Sequence, residues 1–333
     1  MADYKVIKGF GIQSIAGDPT FIIGQAWYDN VANAFQVHIE SKAWAEGNNL
    51  NTGRTLTTGG GTQTAGIQVA GGVPPGVQTC DLVEEYDGTS YSEVTELSAL
   101  TNNTSFIGTQ TAGMQCSGNH RTAGAQKDTE EYNGASWSNG GDQNIIRNSA
   151  GCCAAGTQTA GLLAGGYQSL PSPAGDRAQS EEYNGASWTE GNELNTARAV
   201  GGSGGRSDSA AITFGGYKQT APTGTQDITE EYNGASWAET GDLNTGRSAM
   251  GGAGDQSSAL GYGDDGHSTA VEEFDGTTWA TATAMNTSRG KSRGQSYALA
   301  SAMVAAGGEI AGGMTDNSEE YTVSQSAKTI TVS

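Results

Sequence analysis

Pairs of adjacent glutamates are the residues of this chain whose type and spacing come closest to a chemical site. They stand at Glu84-Glu85, Glu130-Glu131, Glu181-Glu182, Glu230-Glu231, Glu272-Glu273 and Glu319-Glu320. Neighbouring carboxylates are suited to acid–base catalysis or to cation binding. Successive strand side chains point to opposite faces, however, so the members of one pair cannot act on one substrate. Because an active site is normally built once, the repetition predicts a structural role.

Other catalytic and metal-binding patterns are not found. The cysteines lack metal-ligand spacing and the histidines are scattered: Cys80, Cys116, Cys152, Cys153, His38, His120 and His267. Cys152 and Cys153 lie in a Gly/Ala-rich run, where cysteine acts as a small apolar side chain. We therefore expect no enzyme activity, no bound metal and no other cofactor.

The glutamate pairs belong to a longer repeat, Glu-Glu-Tyr-Asn-Gly-Ala-Ser-Trp. Asn-Gly or Asp-Gly between two short aromatic-bearing runs predicts a β-hairpin with a type I′ turn. Recurrence every roughly 42 to 51 residues indicates a repeat architecture. Full copies are Glu130–Trp137, Glu181–Trp188 and Glu230–Trp237; looser copies are Glu84–Tyr91 and Glu272–Trp279, and a truncated copy begins at Glu319.

Each period contains four short predicted strands, and their side chains follow a size gradient. The first two are rich in glycine and alanine, whereas the last two carry the aromatic residues. Where four-stranded sheets radiate from an axis, inner strands admit only small side chains and aromatics fill the widening gaps outside. The aromatic positions expected between sheets are Trp44, Tyr86, Tyr91, Tyr132, Trp137, Tyr183, Trp188, Tyr232, Trp237, Phe274, Trp279 and Tyr321.

A second motif, Leu-Asn-Thr-x-Arg or a close variant, follows several of these tryptophans. Its arginines are Arg54, Arg198, Arg247 and Arg289. We expect some of the paired glutamates to bind these arginines between neighbouring sheets.

The set of motifs resembles the kelch repeat. A glycine doublet after the second strand, a Tyr ending the third and a Trp on the fourth carry the resemblance. It predicts an all-β fold, a six-bladed propeller with four-stranded blades, over residues 41–333. Trp44 has no Glu-Glu-Tyr before it, and Tyr321 has no Trp after it. We therefore expect Ala43–Gly47 to complete the last blade. The alternative is seven blades, with Ala34–Ile39 and Lys328–Val332 completing extra strands.

Residues 1–40 lie outside the repeat and form a predicted attachment arm. Gly24–Tyr28, Asp29–Asn33 and Ala34–Ile39 read as strand, turn and strand. A single hairpin is too short to hold a core by itself. Its apolar residues are therefore expected to be buried against a partner: Phe21, Ile23, Trp27, Tyr28 and Phe35.

The connections between the second and third strands differ between periods, whereas the strands are copied. Varied loops on a rigid scaffold commonly form binding surfaces. The residues expected to stay free for an external ligand are Tyr167, Arg177, Tyr217, Lys218 and Tyr262.

Charge and composition limit the partners. The 333 residues carry a net charge of −20. That balance argues against nucleic acid and anionic membrane, which both attract basic surfaces. No apolar run approaches the ~20 residues of a membrane-spanning helix, and Met1–Gly9 does not resemble a signal peptide. We therefore expect a soluble protein made in the cytoplasm.

The chain also resembles kelch-like propeller proteins of tailed phages. Gly-Gln-x-Trp-Tyr at Gly24–Tyr28, followed by Tyr-(Asp/Asn)-Gly-x-x-Trp and Leu-Asn-Thr-x-Arg repeats, carries this resemblance. It implies a structural protein of the virion, as a fibre, tail tip or capsid decoration. The implied partners are other virion proteins, a second copy of this chain, and a glycan or protein of the host surface. Two alternatives are a glycan-binding propeller and a cellular kelch-type interaction module.

Overall fold

A computed structural model describes residues 13–15, 20, 22–121, 124–147, 153–168, 174–295 and 297–330. These residues form strands, turns and irregular segments, with no helix among them. The chain divides into two compact units. Unit 1 comprises Met1–Ala43 and Thr322–Ser333, and unit 2 comprises Trp44–Tyr321.

The strands follow the repeat. The first are β1 (Gln13–Ile15), β2 (Ala26–Asp29) and β3 (Ala34–Glu46). The next period contains β4 (Thr57–Thr62), β5 (Ala65–Val69), β6 (Gly72–Val73), β7 (Gln78–Thr79), β8 (Val83–Tyr86) and β9 (Tyr91–Glu93). It is followed by β10 (Thr101–Asn102), β11 (Ser105–Gly108), β12 (Gly113–Cys116), β13 (Asn119–His120), β14 (Gly124–Ala125), β15 (Thr129–Tyr132) and β16 (Trp137–Asn139).

The later periods repeat this order. They contain β17 (Cys153–Thr157), β18 (Ala160–Ala164), β19 (Tyr167–Gln168), β20 (Gly175–Asp176), β21 (Ser180–Tyr183) and β22 (Trp188–Glu190). Next are β23 (Gly202–Ser207), β24 (Ala210–Phe214), β25 (Tyr217–Lys218), β26 (Gly224–Thr225), β27 (Thr229–Tyr232) and β28 (Trp237–Glu239). The last are β29 (Gly251–Asp255), β30 (Ser258–Tyr262), β31 (Val271–Phe274), β32 (Trp279–Thr281), β33 (Ser292–Gln295), β34 (Ala302–Ala306), β35 (Glu309–Ile310), β36 (Gly313–Met314) and β37 (Ser318–Thr329).

Four-stranded antiparallel sheets are the building blocks of unit 2. Their orders are β11-β12-β15-β16, β17-β18-β21-β22, β23-β24-β27-β28 and β29-β30-β31-β32. A further sheet, β4-β5-β8-β9, is extended by β33, which pairs in parallel with β4. Another has the order β3-β37-β34, and within unit 2 the Gly47 amide donates to the Ser318 carbonyl at 3.0 Å. Trp44 lies beside Tyr321, as the sequence predicts, with 5.1 Å between ring centroids.

The small first strands pack side by side. The order of contact is β4, β11, β17, β23, β29 and β33. A Cβ atom at Gly60 would lie 2.4 Å from the Phe106 ring, and one at Gly252 would lie 2.5 Å from the Ser203 nitrogen. The glycine-rich composition of these strands is therefore a packing requirement, as the size gradient predicts.

Backbone hydrogen bonds also link the segments that enter the first strands. The Asn103 amide donates to Leu56, Leu56 to Lys291, Lys291 to Ala249, and Ala249 to Val200, at 2.8–3.2 Å. All five residues have left-handed backbones, with φ between 51° and 55°. That conformation is costly for a β-branched residue such as Val200, so these bonds help to hold it.

The Asn-Gly hairpins are present, but the predicted type I′ turn is wrong. Tyr132 pairs directly with Trp137, which leaves the four-residue connection 133–136. Gly134 has a φ of +87°, whereas Asn133 is not among the positive-φ residues. Its side-chain oxygen instead accepts hydrogen bonds from the Ala135 and Ser136 amides, at 3.0 and 2.9 Å. The asparagine thus closes the turn through its side chain.

Unit 1 contains the predicted N-terminal hairpin. β2 pairs with β3 from Ala26↔Val37 to Asp29↔Ala34, and β1 runs parallel to β2. The Ile330 amide donates to the Phe35 carbonyl at 2.8 Å, and Gln36 contacts Thr329.

The division of the chain therefore differs from the predicted one. Residues 322–333 belong with the arm in unit 1, rather than with the repeats, and the boundary falls after Ala43. The two segments that the seven-blade alternative assigns to the propeller also lie in unit 1.

Candidate functional site

The first glutamate of every Glu-Glu pair except Glu130 forms a buried ion pair with an arginine. The N–O distances are 2.9 Å for Arg54–Glu84, 2.6 Å for Arg147–Glu181, 2.8 Å for Arg247–Glu272 and 3.1 Å for Arg289–Glu319; Arg198 contacts Glu230 in the same way. Each arginine precedes the first strand of a period, and each glutamate lies on its third strand. Arg147 follows Asn-Ile-Ile, a variant of the motif that the sequence analysis did not recognise.

These carboxylates are also saturated by other donors. The Asn51 backbone and side-chain nitrogens donate to Glu84 Oε2 at 2.7 and 3.0 Å. Arg54 also donates to the Ala70 and Leu82 carbonyls at 3.1 and 2.8 Å. Because their acceptor and donor positions are used internally, these glutamates are not available to a ligand. The predicted structural role is confirmed for them, but each arginine pairs with a glutamate of its own period rather than of a neighbouring sheet.

The second glutamate of each pair except Glu231 accepts a hydrogen bond from a tyrosine of the neighbouring period. The O–O distances are 2.9 Å for Tyr132–Glu85, 2.5 Å for Tyr183–Glu131 and 2.6 Å for Tyr232–Glu182; Tyr321 donates to Glu273 and Tyr86 to Glu320. Burial and the bond to Glu131 raise the pKa of Tyr183 to about 12. These tyrosines thus remain protonated donors that join neighbouring sheets.

Phe274 interrupts this series because it has no hydroxyl. Oε1 of Glu231, the glutamate that would accept that bond, is buried without a hydrogen-bond partner among the described residues. Burial raises the pKa of the Glu231 carboxyl.

Glutamines of the tight turns form a third link that the sequence analysis did not find. Gln110 donates to the Gly66 and Tyr86 carbonyls at 3.1 Å each. Gln158 donates to Gly113 and Tyr132 in the preceding sheet, at 3.1 and 3.0 Å. The recurring Gly-Thr-Gln-Thr-Ala sequence could have indicated this link. A polar side chain repeated at the same turn position is expected to bind the equivalent partner in each period.

The aromatic residues lie where the size gradient predicts. Trp188, Trp237 and Trp279 are buried, and so are Trp44 and Tyr91. Trp137 is only half-buried, although its indole nitrogen donates to the Thr95 carbonyl at 2.9 Å. They fill space between sheets and are not displayed as ligand platforms.

The divergent second-to-third-strand connections form a set of short hairpins, which we call the hairpin face. Its two-stranded ladders are β6-β7, β13-β14, β19-β20, β25-β26 and β35-β36. Four of the predicted binding residues lie on two of these hairpins or beside them, half-buried: Tyr167, Arg177, Tyr217 and Lys218. Asp176 joins these two hairpins by accepting the Gln219 and Thr220 amides at 2.8 Å each.

Tyr262 does not belong to this face, so that prediction is wrong. It is 1% exposed and ends strand β30, where it pairs with Gly251. A Cβ atom at Gly251 would lie 2.2 Å from the tyrosine ring, so the glycine makes room for the ring. Tyr262 stands within the glycine doublet of its period, and it packs as a core residue.

The predicted arm residues have different environments. Trp27 is 1% exposed and packs against His38, with 4.3 Å between ring centroids and an angle of 50° between the ring planes. Tyr28 and Phe35 are half-buried and contact each other. Ile23 is exposed. Phe21 lies outside the described residues.

Within the described ranges, no three His, Cys, Asp or Glu side chains are grouped so as to hold a metal ion. No helix there is long and apolar enough to cross a bilayer.

The radiating four-stranded sheets, with small inner strands and aromatic residues between them, define a β-propeller. The solved "Structure of YjhT" is similar to this chain, with a TM-score of 0.67 and 11% sequence identity. The similarity covers 84% of this chain and 99% of that one, and YjhT is a kelch-type propeller. At this identity the similarity establishes the fold alone. No family model matches the sequence, and no curated protein matches it.

Proposed function

We propose that this chain is a structural protein of a phage virion, without enzyme activity or cofactor. Unit 1 attaches it to other virion proteins, and the propeller is displayed outward for decoration or for binding a glycan or protein of the host surface. The protein is made in the host cytoplasm and functions in the particle. The Gly-Gln-x-Trp-Tyr segment and the Tyr-(Asp/Asn)-Gly-x-x-Trp repeats support this assignment.

The observation that carries the proposal is the exposed apolar surface of unit 1. Ile22 and Ile23 are each 59% exposed, Val31 is 75% exposed and Ile330 is 44% exposed. Trp27, by contrast, is buried within the same unit. Large exposed apolar side chains in so small a unit are typical of an interface with another protein.

We also propose that the propeller closes with six sheets. The Tyr86 hydroxyl donates to Glu320. The first copy of the repeat is therefore joined to the last by the same kind of hydrogen bond that joins neighbouring copies. The Leu56–Lys291 backbone bond supports the same closure. Trp44–Glu46 beside β37 supplies the outer strand that the last copy lacks.

Substitution of Ile22 and Ile23 by aspartate tests the attachment role. The double variant should fold normally, because both side chains are exposed, but should enter particles at least about tenfold less than wild type, since two buried isoleucines contribute more than the 1.4 kcal/mol of a tenfold change. Leu299→Asp is the matched control, because Leu299 is 45% exposed in unit 2. The readout is the amount of the chain in purified particles by mass spectrometry. Equal incorporation of both variants would refute the attachment role.

Point substitutions are preferable to deletion of residues 1–40. Deletion would remove Phe35 and Gln36, which pair with Ile330 and Thr329. Such a variant would expose a new strand edge, and its failure to assemble would have two explanations.

A glycan-binding propeller or a kelch-type interaction module remains the second candidate. The half-buried Tyr167 and Tyr217 on adjoining hairpins favour it, because amphipathic aromatic residues are common in binding surfaces. Normal folding with no incorporation of the wild-type chain into particles would favour it over the virion role.

A further inference from the structure

One period of the repeat lacks its arginine. Leu97-Ser98-Ala99-Leu100-Thr101 occupies the place of Leu50-Asn51-Thr52-Gly53-Arg54, so Thr101 stands where Arg54 stands. Glu130, the corresponding acid, is 6% exposed and accepts the Ser98 amide at 3.0 Å. Its carboxylate has no guanidinium partner among the described residues.

A pocket lies on the hairpin face next to this substitution. Its volume is about 380 Å³, which is within the usual range for small-molecule sites. One side of it comes from β10 and β13 and the other from β7. The lining residues are Val77, Gln78, Thr79, Asn102, Asn119, His120 and Arg121.

Two buried polar atoms of the pocket have no partner. Asn102 is 5% exposed and Thr79 is 8% exposed. Asn102 Oδ1 and Thr79 Oγ1 make no hydrogen bond within the described part of the chain. Buried polar groups in native proteins are almost always satisfied, so each unsatisfied one requires an explanation. A ligand with hydroxyl groups would supply the missing partners.

The charge of the pocket is opposite to that of the protein as a whole. Arg121 is exposed, and no acidic residue of the described ranges pairs with it. His120 already contacts Asp128, at 3.3 Å between Nε2 and Oδ2. Arg121 is therefore a free cation at the rim of a polar pocket, on a chain of net charge −20. A guanidinium binds carboxylate or phosphate through paired hydrogen bonds.

We propose that this pocket binds a small hydroxylated organic anion, either a uronic acid or a sugar phosphate. Arg121 binds the anionic group, and Asn102, Thr79 and Gln78 bind the hydroxyls. Val77, which is 50% exposed, offers an apolar surface to the C–H face of the ring. The site belongs to the folded chain itself, so it does not depend on attachment to a particle.

Calorimetric titration of the purified full-length chain tests the site. The probes are glucuronate, glucose 6-phosphate and glucose, each up to millimolar concentration. The prediction is that at least one anion binds and that glucose binds at least about tenfold more weakly, since the charge-assisted bonds are lost. Binding of glucuronate alone would assign a carboxylate ligand, and binding of glucose 6-phosphate alone a phosphate ligand. Binding of neither anion, or equal binding of glucose, would overturn the proposal.

Variants assign the binding to this pocket. Arg121→Gln should weaken anion binding at least about tenfold. Lys328→Gln is the matched control, because it removes the same charge from an exposed position in unit 1, and it should leave the affinity unchanged. Thr79→Val should weaken binding without lowering the melting temperature, since its hydroxyl has no partner in the unliganded chain. Equal effects of Arg121→Gln and Lys328→Gln would refute the site, whatever the outcome of the particle experiment.

Discussion

The Tyr132 hydroxyl donates to Glu85 Oε1 at 2.9 Å and thereby joins two successive sheets. The same contact recurs wherever the repeat has Tyr, and it is missing where the repeat has Phe274. Phe274 thus acts as a natural variant that lacks the tyrosine hydroxyl. It leaves Glu231 Oε1 buried without a hydrogen-bond partner among the described residues.

Phe274→Tyr should restore the missing link. We expect the free energy of unfolding to rise by about 1.5–3 kcal/mol, the net contribution of one hydrogen bond to a charged group. Tyr132→Phe is the mirror control and should cost about 1.5–3 kcal/mol, because it removes a bond to a charged group. Both are measured by urea unfolding. A destabilising Phe274→Tyr would mean that the hydroxyl does not reach Glu231.

The unpaired Glu231 should also make stability depend on pH. Its folded-state pKa is raised by burial, so the folded protein binds more protons than the unfolded chain. Its contribution therefore becomes less favourable as pH rises above the ordinary glutamate pKa of about 4.3. Glu231→Gln should gain stability relative to wild type between pH ~4.5 and ~7. A difference that is flat, or that changes the other way, would contradict this assignment.

Ring closure predicts energetic coupling between residues 234 positions apart in the chain, Tyr86 and Glu320. A double-mutant cycle with Tyr86→Phe and Glu320→Gln should give a coupling of about 0.5–3 kcal/mol. The Tyr132→Phe and Glu85→Gln cycle is the reference for an ordinary pair of neighbouring sheets. Zero coupling for the first cycle beside clear coupling for the second would indicate an open ring.

A buried glutamate that pairs with an arginine should contribute more to the free energy of unfolding than a buried glutamate without such a partner. Glu181→Gln leaves Arg147 as a buried, uncompensated charge and should cost about 3–5 kcal/mol. Glu130→Gln is the matched control, because Thr101 stands in place of the arginine, and it should cost clearly less. Similar losses from both variants, measured by denaturant unfolding, would show that the guanidinium contributes little.

Much of this architecture could be predicted from the repeat alone. The size gradient of the strands predicted both the glycine-lined inner strands and the buried Trp188, Trp237 and Trp279. Strand alternation also predicted that the two glutamates of a pair cannot act on one substrate, and the structure gives them different partners. These inferences succeeded because the copies repeat the same residue types at most of the equivalent strand positions.

Other features could not be predicted because they depend on contacts distant in the chain or on single departures from the repeat. Nothing local to residues 322–330 indicates that they pair with Phe35 and Gln36. Tyr262 splits the glycine doublet of its period, and nothing local to it indicates that Gly251 leaves room to bury its ring. The missing arginine at Thr101 becomes evident only when Thr101 is aligned with the arginines at the same position in the other periods.

Electron cryomicroscopy of the intact particle is the most direct test of the proposed function. The account predicts density for this chain on the particle, with Ile22, Ile23 and Val31 against neighbouring proteins and the hairpins that carry Tyr167 and Tyr217 facing solvent. Absence of the chain from purified particles would contradict it, as would a hairpin face buried against the particle with the isoleucines free.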